Sequence, residues 1–128
     1  MYNSPLQAYE TVDKATMSGR EIEAAVLTKA ALKMKACRDN WEAADRNKKL
    51  EEALKFNQCI WSIFQCELVR EDHPLPKKLR LDILRLGTFV DKQIFETMAY
   101  PSPEKLTIVI DINNNLAVGL RSSPGNAG

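Results

Sequence analysis

Histidine, cysteine and glycine are all scarce in this chain, and each shortage excludes a kind of chemistry. One histidine (His73) and three cysteines (Cys37, Cys59, Cys66) among 128 residues offer no C-x-x-C or H-E-x-x-H spacing for a metal. Cys59 and Cys66 are seven residues apart, about 10 Å along a helix axis, too far to share one ion or a disulfide. An odd number of cysteines suits a reducing compartment where thiols stay free. There is no G-x-S-x-G nucleophile turn and no glycine-rich phosphate loop. The adjacent acids Glu51-Glu52 and Glu71-Asp72 read as a solvated helix face and a loop. The expectation is a protein that is not an enzyme, with no catalytic residue, cofactor or metal. No apolar run approaches the ~20 residues of a membrane span. The opening Met1-Tyr-Asn-Ser-Pro-Leu6 has neither the basic nor the apolar part of a signal peptide, so an intracellular setting is expected. With 18 basic and 17 acidic side chains the formal charge is +1, far from the strongly basic footprint of a DNA-binding domain.

What is present is ordinary globular material. Hydrophobic residues make up 45% and charged ones 27%, which excludes wholesale disorder and fits one domain of this length. Glycine and proline are absent from 20 to 73, and only Gly87 interrupts 77 to 100. Strands average five or six residues between turns, so such stretches predict helices. A short helix is predicted after Ser4-Pro5, running to about Lys14. A second opens at the capping-box spacing Ser18-Gly-Arg-Glu21 and carries Ile22, Val26, Ala30, Met34, Cys37 and Trp41 on one side. A third runs from near Asp45 to about Arg70, with Leu50, Leu54, Asn57, Trp61, Phe64 and Leu68 in a 4-3-4-3-4 seam. The rigid Glu71-Asp-His-Pro-Leu-Pro76 connection follows, since a residue preceding proline leaves the α region. A fourth helix covers about 77 to 98 with Leu79, Ile83, Leu86, Val90 and Ile94. A fifth starts at Ser102-Pro103-Glu104 and continues through Leu106, Val109, Ile110, Asn113, Leu116, Ala117 and Leu120. Its segment 106–112 (LTIVIDI) is rich in β-branched residues, but the cap and the period favour helix. The predicted fold is all-α: a single-domain antiparallel bundle of four long helices plus the short N-terminal one over 1–120, with 121–128 as a frayed tail.

Two features exceed what a bundle needs. The third helix carries a second apolar row, Phe56, Cys59, Ile63 and Cys66, turned away from its main seam, and the fourth adds Leu81, Leu84 and Phe95. Either the short first helix and the loops cover these positions, or they form a groove for a partner helix. Asn57 and Asn113, each on a main seam, suit register-fixing inside a bundle. The second feature is a basic cluster, Lys77, Lys78, Arg80 and Arg85, at the start of the fourth helix, where cations oppose the helix dipole. It either meets an anionic partner such as RNA or an acidic protein face, or is neutralised by Glu71 and Asp72 across the loop.

Several uncommon combinations occur in order along the chain: YNSPLQAYETVDKATMSGREIEAAVLTKAAL, then ALKFNQCIWSIFQCEL with HPLP, then GTFVDKQIFETMAYPSPEKLTIVIDINNNLAVGL. Over about residues 1 to 120 the sequence resembles the FlaF family of flagellar biosynthesis regulators of alphaproteobacteria. The resemblance implies a cytoplasmic, non-enzymatic protein needed for production or export of flagellin, working alongside and partly opposite to FlbT. Two mechanisms are compatible with it. In one, the protein is an export chaperone or adaptor that holds a flagellin helix through Phe56, Ile63, Leu84 and Phe95. In the other, it acts on flagellin messenger RNA, directly through Lys77, Lys78, Arg80 and Arg85 or through FlbT.

Overall fold

The computed structural model describes residues 19–122. Within them the chain is all-helical: α1 (Gly19–Asp39), α2 (Arg46–Leu68), α3 (Lys77–Ala99) and α4 (Pro103–Arg121), with no strand among the described residues. The expected helix at 5–14 and the Ser18 cap lie outside the described residues. The β-branched segment 106–112 is helical, as the flanking punctuation predicts.

The ends of the helices follow from local chemistry, with one qualification. Pro103 occupies the first turn of α4, where a missing N–H costs nothing. Ser102 before it is extended (φ −153°, ψ 148°), yet its side chain makes no capping hydrogen bond, and Asp45 before α2 makes none either. These residues mark the boundaries through backbone preference rather than through the hydrogen bond that usually accompanies it. The connection from α1 to α2 is a chain of turns, Asn40 N–H to Cys37 O, Ala43 N–H to Asn40 O and Arg46 N–H to Ala43 O, at 3.3, 3.0 and 3.0 Å.

Each helix packs on its neighbours in sequence, and α1 makes its most extensive contacts with α4, so the four close into a bundle-like ring. Cross-contacts set the directions. Arg38 near the end of α1 donates to Thr107 Oγ1 in the first turns of α4 (3.1 Å), while Leu27 earlier in α1 meets Asn113 further along α4. Arg80 at the start of α3 reaches the carbonyl of Leu68 at the end of α2, and Gly87 lies against Gln65 and Trp61 earlier in α2. Both pairs therefore run in opposite directions. The core holds Trp61, Phe56, Phe64, Leu27, Met34, Leu54, Ile60 and Leu68, all with under 2% exposure. Trp61 and Phe64 meet edge to face with centroids 5.9 Å apart.

The main seam of α2 is buried at every expected position, Leu50, Leu54, Asn57, Trp61, Phe64 and Leu68. Phe56 is a correction. Expected on a partner-facing row, it has no exposed surface, because that side of α2 faces α1, whose Lys29 and Lys33 ammonium groups lie 5.8 and 4.9 Å from its ring centroid. The aliphatic stems of two lysines complete its cover while their charges stay near water. Leu79, expected in the core stripe of α3, stays exposed in the first turn, while Leu75 in the preceding loop is buried. Trp41, expected on the α1 face, lies past the end of that helix, half-buried and stacked under Arg46 (4.3 Å).

Candidate functional site

Of the four expected groove residues, the structure leaves three available to differing degrees. Phe95 is 73% exposed, Leu84 is half-buried against the edge of the core, and Ile63 is half-buried on α2. Cys59 and Cys66, in the same expected row as Ile63, are exposed free thiols. The apolar excess therefore belongs to α3 rather than α2. Leu81, Phe89, Phe95 and Met98 all have exposed side chains on this one helix. The reason is architectural. The ring buries one stripe of α3, Ile83, Gly87, Val90, Ile94 and Thr97, and α3 has the least extensive packing against α4 of any adjacent pair in the ring.

Asp91 sits among these residues. It is half-buried, and it makes no hydrogen bond or ion pair with any described residue. Burial pushes its carboxyl above the usual aspartate range, since a charge loses hydration there without gaining a counter-charge.

The basic cluster divides into two kinds of residue. Arg80 is structural: its guanidinium donates to the carbonyls of Leu75 (3.1 Å), Leu68 (3.1 Å) and Arg70 (2.8 Å), tying the end of α2 and the loop after it to the start of α3. Arg85 pairs with Asp82 at 3.2 Å, an exposed contact between successive turns. Lys77 and Lys78 are exposed and make no ion pair. The expected neutralisation by Glu71 and Asp72 does not occur. Asp72 is held by Arg70 through two contacts of 2.9 and 3.1 Å, which hold its carboxyl below the ordinary range.

Two buried polar clusters complete the inventory. In the first, Asn113 Oδ1 accepts from Trp61 Nε1 (2.9 Å), and its amide nitrogen donates to Asn57 Oδ1 (2.6 Å) and Leu27 O (3.2 Å), joining α1, α2 and α4. Asn57 Nδ2 is buried with no partner. In the second, Glu23 in α1 accepts from Arg20 Nε (3.0 Å) and meets His73 Nε2 (3.3 Å), while the His73 Nδ1 atom accepts from the Leu75 N–H (3.2 Å). That arrangement places the imidazole proton on Nε2, pointing at the carboxylate. The lone histidine thus ties the loop between α2 and α3 to the start of α1. Sequence spacing located His73 in the loop but gave no sign of Glu23, fifty residues away. A pocket of about 450 Å³ opens at the turn between α1 and α2, lined by Lys33, Cys37, Arg46, Lys49 and Glu52 among others. Burial pushes the Cys37 thiol up, against the opposing pull of Arg46, which makes it a poor nucleophile. Among the described residues no three His, Cys, Asp or Glu side chains converge as metal ligands would, and no helix is long and apolar enough to cross a membrane.

Among the described residues all four elements are helices, and α3 carries apolar side chains on its outer face as well as on its inner one. Residues 5–120 match the family model described as flagellar protein FlaF, and the chain belongs to that family. Neither the curated protein sequences nor the solved structures give a significant match.

Proposed function

We propose that this chain is a non-enzymatic, cytoplasmic adaptor that holds a helix of flagellin and so supports its synthesis and export. The exposed face of α3, with Leu81, Leu84, Phe95 and Met98 at helical spacing, carries the reading. Two apolar pairs, Leu81 with Leu84 and Phe95 with Met98, stand on this face on either side of Thr88 and Asp91, and helix-in-groove docking is the recognition mode that such an apolar face serves. Family membership supports a role connected with the flagellum. Flagellin fits chemically as a partner whose helices are uncovered before assembly. FlbT is the second proposed partner, with which this chain works alongside and partly in opposition.

Regulation through flagellin messenger RNA is supported only by Lys77 and Lys78, since Arg80 is engaged with backbone carbonyls and Arg85 with Asp82. Phosphate-driven binding falls steeply with salt and apolar docking does not. The test is binding of purified flagellin at about 0.3 M salt, roughly twice physiological ionic strength. Flagellin is expected to bind wild type, to bind Lys77→Gln/Lys78→Gln equally well, and to be lost from Phe95→Asp. Binding to RNA that depends on both lysines, with no flagellin bound, overturns the proposal.

A further inference from the structure

We infer that the outer face of α3 pairs, in the manner of a coiled coil, with one amphipathic helix that has acidic flanks and sets a lysine or arginine of its own seam opposite Asp91. This rests on the helix-docking reading and specifies the chemistry of the docked helix.

The spacing comes first. Lys77, Leu81, Leu84, Thr88, Asp91, Phe95 and Met98 follow one another at steps of 4, 3, 4, 3, 4 and 3. That is the repeat of a helix seam that stays against a straight partner, and at 1.5 Å per residue it extends about 31 Å. The buried stripe of α3 has the same repeat one residue earlier, at Ile83, Gly87, Val90, Ile94 and Thr97. One seam is used inside the ring. The other, rotated by about 100°, is exposed at Lys77, Leu81, Thr88, Phe95 and Met98 and half-buried at Leu84 and Asp91.

The charges then select the occupant. Immediately after each of Lys77, Leu84 and Asp91 comes a basic residue, Lys78, Arg85 and Lys92, all exposed. These sit seven apart along one edge of the seam, at a position where coiled-coil partners exchange salt bridges. A helix laid on the seam meets Lys78 and Lys92, which make no ion pair among the described residues, and between them Arg85, which pairs with Asp82 (3.2 Å); this border favours acidic flanks. It also disfavours a second copy of this chain, which would bring an equally basic edge. Asp91 lies within the seam itself. Covering it removes its remaining water, and a desolvated carboxylate needs a counter-charge or donor to stay ionised. Asp91 is the one acidic position of the seam, lying between Leu84 and Phe95, and a charged pair formed there also fixes register.

The test uses two synthetic three-heptad helical peptides with leucine seams and glutamate flanks, one with a central seam lysine and the other with glutamate there. Their binding to the full chain is measured by calorimetry. The lysine peptide is expected to bind wild type about tenfold or more tightly than its twin, because like charges face each other in the second case. The preference inverts in Asp91→Lys. Lys78→Glu/Arg85→Glu/Lys92→Glu, at exposed positions and checked for folding by circular dichroism, weakens both peptides by at least about tenfold. Equal affinity of the two peptides, absence of binding by either, or a wild-type dimer in sedimentation that Phe95→Asp dissolves overturns the inference. Flagellin provides a separate arm. Flagellin binding lost in Phe95→Asp alongside peptides that bind without preference retains the adaptor reading and removes this one. The reverse pattern removes flagellin and retains the docking chemistry.

Discussion

Asn113 serves three partners through one amide, and its substitution separates a structural polar group from a tolerated one. Asn113→Leu leaves the Trp61 N–H buried with no acceptor and strips Asn57 of its only bond. A loss of about 2–4 kcal/mol in urea unfolding is expected, from a buried unsatisfied donor at about 1–3 kcal/mol and lost hydrogen bonds. Asn57→Leu removes an amide that already has an unpaired nitrogen, and Asn113 keeps Leu27 and Trp61. Stability should change by less than about 1 kcal/mol. Equal losses in the two variants would place the network's centre at Asn57. Asp91 gives a pH signature with the opposite sign from most acids. Its folded pKa is raised above the ordinary value of 3.8, so its favourable contribution is complete below that value and lost as pH rises through the folded pKa. Asp91→Asn should therefore be more stable than wild type at neutral pH, with the advantage shrinking as the pH is lowered toward 3.8, read from melting temperatures across that window. At this scale the sequence was partly legible. Two asparagines on apolar seams announce a buried pair, but a wheel drawn on one helix cannot show that lysines from a neighbour cover Phe56.

The helices themselves were legible almost to the residue. The predicted span of about 77 to 98 is observed as Lys77–Ala99, the start at Ser102-Pro103 as Pro103, and the span from near Asp45 to about Arg70 as Arg46–Leu68. Proline is absent from the interiors of these elements and concentrated between them, and glycine enters only at Gly87 and Gly119, so local propensity and tertiary packing agree. The basic cluster was the misreading at this scale. Charge counting treats Lys77, Lys78, Arg80 and Arg85 as equivalent, whereas Arg80 alone ties the end of α2 to the start of α3. Arg80→Met should cost about 2–3 kcal/mol, from three charge-assisted bonds at the junction of α2 and α3. Lys77→Gln/Lys78→Gln should stay within about 0.5 kcal/mol. Thermal unfolding of the two variants side by side checks the contrast. Comparable losses would show that the lysines have structural partners too.

At the scale of the molecule, the all-α architecture was readable and the order of packing was not. Amphipathic patterns say that a helix has a buried side; they do not say which neighbour supplies the cover or how far it reaches around. The exposed face of α3 results from that order, since α1 and α4 are so fully engaged with each other. The same pairing has a consequence during synthesis. α1 is the first described helix to leave the ribosome and α4 the last, so the apolar face of α1 meets its main partner only after the other described helices have been made. Closing so long a segment is entropically slow, and exposed apolar faces are what general chaperones and aggregation act on. α1 and α2 can form a hairpin early, but Asn113 must arrive before Trp61 finds its acceptor. A stalled or truncated chain ending before residue 103 would hold three of the four described helices and no closed ring, and cells should clear it by proteolysis.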